Sequence, residues 1–287
     1  MIEIIYRCDP RAPSAESAPK SCAEVRERLV EGNRIFANLF NADTAQESQT
    51  RVIPIDATAL GLTPQTKTAP AQRPFAAVLA CADARVPTEL IFHQACNHLF
   101  VTRVAGNVLS AEGLGSLEYA ACHLSASLKL VVVLGHRGCG AVSAAVDCYL
   151  RPAEYTSIAP THGLRAIVDR ISHAVRAAAE SLQARWGDDV KGHRSYPEAL
   201  LEAAVVINAA RTASVLRDEL HANDGVNIEV AYGVYDLVSR RVEVPMHEKT
   251  ADGTEAGGLG TPPASPEEFE RFAACVAGSK HVQEFLA

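Results

Sequence analysis

Apolar positions along this chain follow two periods that alternate. From Phe75 to Ala80 the run FAAVLA has no polar break, and Pro74 before it and a polar cluster after it bound a stretch too short for a helix. That pattern predicts a buried strand. Leu99–Arg103 and Leu130–Leu134 repeat it. Between and after them the period lengthens to that of a helix. Pro87 can open a short helix through Phe92, Leu117–Leu124 forms another, and a third runs from about Cys139 to Leu150. The three glycines between Ala105 and Gly115 read as a turn-rich connection.

Further on, Leu164, Val168, Ile171, Val175, Ala178, Leu182 and Trp186 mark one long amphipathic helix, and Pro197 to about Leu220 marks a second. Residues 227–236 and 237–245 read as a strand pair. Near the start, Ser21 and Glu24 have capping-box spacing before Val25, Leu29, Phe36 and Phe40; near the end, Ser265, Pro266 and Glu268 cap a helix carrying Phe269, Phe272 and Val276. Residues 41–72 read as a long polar, Pro/Thr-rich loop.

Strands alternating with helices predict an α/β fold. The expected sheet is mostly parallel, with about four parallel strands and an antiparallel edge strand, flanked by helices and preceded by an N-terminal helical arm. The expected organisation is an arm over 1–20, one α/β domain over 21–249, and a linker with a short C-terminal helix over 250–287. Sites in such sheets lie at the C-terminal ends of strands.

Composition narrows the function. Hydrophobic residues make up 48% and charged residues 21%, an ordinary globular balance, and the net charge of -7 argues against nucleic acid or an anionic membrane as partner. No apolar run reaches the length of a membrane span, and the first residues lack a basic region followed by a long apolar one. The expected location is the cytoplasm. The eight cysteines then read as reduced thiols or metal ligands rather than disulfides. Cys122, Cys148 and Cys275, in apolar helical patterns, read as small core residues.

Two strand ends stand out. The first closes on Cys81, with Asp83 and Arg85 at alternate positions after it; the third closes on His136 and Cys139. Two thiolates and an imidazole suit zinc. Taken singly, each group reads as a packed core residue, and Asp83–Arg85 as a solvated ion pair. Their placement on neighbouring strand ends favours a metal centre. No Cys-x-x-Cys completes a closed structural site. An arginine beside Asp83, sharing one face of an extended chain, keeps the carboxylate ionised and away from the metal. The fourth position is then left to water, which zinc acidifies toward neutral pH.

These residues resemble the β-class carbonic anhydrases. The resemblance rests on CADARVPTE (81–89), LFVTRVAGN (99–107), GSLEYAACHL (115–124), VVVLGHRGCGAV (131–142), and more weakly on LVEGNRIF (29–36) and AYGVYDL (231–237). It implies zinc, one ion per subunit, on Cys81, His136 and Cys139, with Asp83 and Arg85 as the catalytic dyad. It implies Gln72, Phe100, Ala105, Tyr119 and the Gly140 amide as substrate contacts. The implied reaction is reversible hydration of carbon dioxide to bicarbonate and a proton, by attack of zinc-bound hydroxide. The implied unit is a homodimer or a higher assembly of dimers, with Gln72 and Phe100 reaching the partner's zinc. Apart from the resemblance, His93 and His98 are candidates for proton transfer only as nearby histidines, and the plain reading of both is as surface residues.

The chain departs from the family pattern at Ala82 and Ala84, where serines are usual, at Val104, where asparagine is usual, and in the turn HQACNH (93–98), where an acidic Pro-Gly turn is usual. Members that close the zinc site with the aspartate tend to lack the glutamine and tyrosine and to carry valine at position 105. Gln72, Ala105 and Tyr119 therefore imply an open site. Competing readings are hydrolysis of a sulfur analogue, carbonyl sulfide or carbon disulfide, on the same scaffold, an inactive zinc-binding assembly protein, and a thiol redox role for Cys81 and Cys139.

Overall fold

The strand from Ala76 to Ala80 (β3) is buried at every residue because both of its edges are paired. In the computed structural model, which describes residues 1–9, 17–39, 49–63, 68–223, 226–244 and 258–287, it lies between β4 (Leu99–Arg103) and β5 (Leu130–His136), parallel to both. β6 (Glu229–Tyr235) joins β5 in parallel, and β7 (Val242–Glu243) closes the sheet antiparallel to β6. The order β4-β3-β5-β6-β7 is the four-plus-one sheet that the sequence pattern predicts.

Side chains alternate across this sheet with the strand period of two. Ala77, Leu79, Val131 and Val133 face one core, built with α3 (Ala111–His123), α4 (Gly140–Leu150), α6 (His162–Trp186), α7 (Tyr196–His221) and α8 (Pro266–Ala277). Ala76, Val78, Leu130 and Val132 face a second core under α1 (Cys22–Asn38) and α2 (Thr88–Ile91). The central strands β3 and β5 are therefore covered on both faces, which is why each is buried along its whole length. Short helices α5 (Tyr155–Ile158) and α9 (Lys280–Leu286) complete the set; the sequence pattern does not foresee α9.

Several expectations are corrected. The N-terminal arm carries a strand, β1 (Ile2–Cys8), and the long polar loop carries its partner, β2 (Gln49–Ile55); the two pair in parallel as a separate ribbon. Phe40, most of the linker before 258 and parts of both segments lie outside the described residues. α3 starts at Ala111 rather than Leu117, because the Ser110 hydroxyl accepts the Gly113 N–H at 3.1 Å and caps the helix through its glycines. Cys122 is exposed, and Cys148 and Cys275 are half-buried. Finally, α7 is long and apolar enough by composition to cross a membrane, against the sequence reading; here it is mostly buried among the other helices and the sheet.

Candidate metal centre

Three chain segments meet at the C-terminal edge of the sheet. β3 ends one residue before Cys81, and the residues after it turn sharply: Val86 N–H donates to the Asp83 carbonyl at 3.0 Å. β5 ends on His136. The turn Arg137–Gly138 then leads to Cys139, which occupies the N-cap of α4. Because β3 and β5 are neighbours in register, their ends must lie side by side. The donor atoms of Cys81, His136 and Cys139 fall within 4.8 Å of one another, all three residues buried.

The donor set fits zinc on geometry as well as on chemistry. Two sulfurs, each about 2.3 Å from a shared ion in a tetrahedral arrangement, stand roughly 3.8 Å apart. Cys81 Sγ and Cys139 Sγ are 3.9 Å apart. His136 Nδ1 lies 3.0 Å from the Arg137 carbonyl, so that nitrogen carries the proton and Nε2 keeps its lone pair. Nε2 is fully buried and, among the described residues, has no hydrogen-bond partner, an orphan that a cation would satisfy.

Electrostatics point the same way. The Cys139 thiol, with His136 and the backbone N–H groups of Asp83 and Gly106, pushes the Cys81 thiol down, against the effect of burial. The resulting negative charge, together with burial, pushes Cys139 up. The two sulfurs, 3.9 Å apart, can share a proton that a bound cation would displace.

Asp83 stands at the rim of this group. Its Oδ2 is 3.7 Å from His136 Nε2, and it is not one of the three clustered donors. Arg85 holds it bidentately, Nε to Oδ1 at 3.0 Å and Nη2 to Oδ2 at 2.7 Å. The Arg85 N–H also donates to Oδ1 at 2.9 Å, an Asx turn. The pair therefore forms across a turn and not along an extended strand, which corrects the sequence reading. Arg85 holds the carboxyl well below the usual carboxylate range.

The support around these groups includes residues that sequence reasoning missed. Arg103, at the end of β4, donates to the Cys81 carbonyl at 3.0 Å and to the Asp83 carbonyl. Gly106 donates its N–H to Cys81 Sγ at 3.2 Å, from a left-handed conformation with φ of 65°. A side chain there would be strained, and its Cβ would sit 2.7 Å from Ile171 Cδ1. Asn208 of α7, 4% exposed, donates to the Gly106 carbonyl at 2.9 Å. The R-V-A-G-N segment was a signal for Gly106, but nothing local connects Asn208 to it.

The remaining candidates divide by position. Ala105 and Gly140 adjoin Gly106 and Cys139 and so sit at the centre. Gln72 precedes β3, so it lies beyond the opposite end of the strand from Cys81, and the strand alone spans about 17 Å at 3.3 Å per residue. Phe100 is near the start of β4, paired with Ala77. His98 precedes β4 and stacks on Phe75, also at the far edge, which corrects its reading as a neighbour of the site. Tyr119 is exposed on α3 with its ring on His123.

The unusual turn before β4 has a structural reason. Asn97 adopts the left-handed conformation that a glycine would otherwise supply. Its side chain accepts from Arg73 N–H at 3.1 Å and donates to the Ala71 carbonyl at 3.2 Å. Those bonds clip both neighbours of Gln72 and leave Gln72 itself exposed.

Comparison with known proteins follows this geometry. A family model described as carbonic anhydrase matches residues 76–242. Carbonic anhydrase 2 of Mycobacterium tuberculosis is 41% identical over 104 residues, 36% of this chain and 47% of that protein. The chain thus spans about half the length of that relative. The carbonic anhydrase of Mycolicibacterium smegmatis is 35% identical over 159 residues, 54% of this chain and 74% of that protein. Among solved structures, a Coccomyxa β-carbonic anhydrase in complex with acetazolamide is 23% identical with a TM-score of 0.48, covering 75% of this chain and 84% of that one.

Proposed function

The chain belongs to the carbonic anhydrase family, and on that footing we propose that it is a zinc enzyme catalysing the reversible hydration of carbon dioxide to bicarbonate and a proton. The observation that carries this reading is the buried Cys81–His136–Cys139 group beside an aspartate already clamped by arginine. Those three residues would hold the ion. Bound there, zinc supplies Lewis acidity, lowering the pKa of water enough for it to act as a nucleophile near neutral pH.

The protein's own groups supply orientation. Arg85 keeps Asp83 ionised and turns it so that Oδ2 stays close to the donor group. A carboxylate has about four lone-pair sites, and Arg85 and its backbone N–H leave one open to accept a hydrogen bond from the reacting water. The N–H of Gly140, in the first turn of α4, has no intrahelical partner and can donate to the anionic product. Burial of both cysteines and the histidine keeps bulk water from competing for the same donors.

Gln72 cannot serve the centre of its own subunit, because β3 stands between them. A homo-oligomer resolves this: β4 is an edge strand, and Gln72 and Phe100 lie toward the same end of the sheet, available to a neighbouring centre. Sedimentation velocity should show a dimer or larger species, and a fully active monomer would refute the shared site.

Stopped-flow hydration of carbon dioxide, with zinc quantified on the same sample, tests the whole reading. One zinc per chain with fast hydration supports it. Stoichiometric zinc with no rate above buffer would overturn it.

A further inference from the structure

Behind the metal centre, on the far side of Asn208, lies a cleft of about 850 Å³ between α3, α6 and α7. Its size is that of a small-molecule site. Its walls combine an apolar part, including Leu109, Leu114 and Val215, with three guanidinium groups and two carboxylates. The charged groups do not cancel one another. Asp169 accepts from the Tyr155 hydroxyl at 2.8 Å. Arg165 and Arg170 donate to backbone carbonyls.

Arg211 is the exception. It is half-buried, and among the described residues its side chain has neither hydrogen-bond partner nor counter-ion. Burial alone pushes its pKa down, with no neighbouring acid opposing it. Glu219, the carboxylate on the same helix, is eight residues further along α7, about 12 Å at 1.5 Å per residue. A guanidinium partly withdrawn from water without an anion is costly, and a bound anion removes the cost.

We propose that this cleft binds a small organic anion, a carboxylate or phosphate ester with an apolar body. The headgroup sits on Arg211 in a forked, charge-assisted pair, and the body lies against Leu109, Leu114 and Val215. A neutral molecule of the same shape gains the apolar contacts alone, so charge is what the site reads. Two residues of the cleft, Asn208 and Val108, flank the Gly106 turn that donates to Cys81. The site is distinct from the metal centre but shares a wall with it.

Isothermal titration calorimetry with phenyl phosphate, benzoate and neutral benzyl alcohol tests the assignment. The wild-type chain should bind one anion at least about tenfold more tightly than the alcohol, the order of effect of a charge-assisted pair. Arg211→Gln should lose that preference and Arg211→Lys should keep part of it. Cys139→Ser, which disables the metal centre, should leave anion binding intact. Equal binding of the alcohol, unchanged anion binding in Arg211→Gln, or loss of binding in Cys139→Ser would each overturn the proposal. So would a change of oligomeric state in Arg211→Gln with anion affinity untouched, because it would assign Arg211 to a subunit interface.

Discussion

Replacing Asn208 by alanine should loosen the metal centre from a helix that does not touch the metal-binding atoms. In the native chain the Asn208 amide donates to the Gly106 carbonyl at 2.9 Å, and the Gly106 N–H donates to Cys81 Sγ at 3.2 Å. The variant strands a buried carbonyl, which costs about 1–3 kcal/mol. The lower half of that range applies, because Asn208 also borders the cleft and a water can enter behind it. At about 2–4 °C per kcal/mol, the melting temperature of the metal-free protein should fall by roughly 2–8 °C. Outer-shell partners of a metal site are worth about 10–100-fold in metal affinity. Asn208 acts through one intervening residue, so we expect about tenfold, or roughly 1.4 kcal/mol. Competition with a chromophoric chelator measures zinc affinity, and differential scanning fluorimetry of the metal-free protein measures stability. Leu220→Ala, buried on the same helix about 18 Å away, is the control. It should cost about 2–5 kcal/mol of stability while leaving zinc affinity within about twofold. If Asn208→Ala lost stability and kept full zinc affinity, the Asn208–Gly106–Cys81 relay would have no bearing on the metal.

Other outcomes follow from the same geometry. Asp83→Asn should retain a full complement of zinc while hydration slows by about 100-fold or more, the range of a positioned acid–base group; unaltered turnover would refute its role. Cys139→Ser should lose zinc during dialysis, read by metal analysis, since a hydroxyl is a poor substitute for thiolate in this donor set. Asn97→Gly keeps the left-handed turn but removes both clips on the Gln72 loop, so stability should change little while hydration falls; wild-type activity would show that Gln72 needs no positioning. Because Arg85 lowers the native Asp83 value below its ordinary 3.8, the stability this pair adds is fully present above that value. It is lost only as pH falls through the native value, so the carboxyl carbon resonance of Asp83 should not shift between pH 7 and 4. A midpoint near 3.8 would mean the clamp does not form in solution.

The sequence by itself determined the strands of the main sheet, its parallel arrangement and the Cys-His-Cys group that could hold a metal. Buried parallel strands must be apolar on both faces, and polar donors such as Cys81, His136 and Cys139 show clearly where such runs end. The Ser265 and Ser21 caps were readable for a similar reason: they are interactions over three residues. What escaped the sequence was decided by pairings between distant segments. β1 and β2 are polar enough to read as arm and loop, and only their mutual hydrogen bonds make them strands. α7 reads from sequence as an amphipathic helix, yet it is long and apolar enough by composition to cross a membrane, and only the sheet and helices that close around it account for that. Asn208 is a buried polar residue whose partner lies 102 positions away, so no local period could reveal it. Gln72 stands between the two cases. The family resemblance already sent it toward a partner's centre, and β3, which carries the chain across the sheet between Gln72 and Cys81, sets the two at opposite ends of that strand.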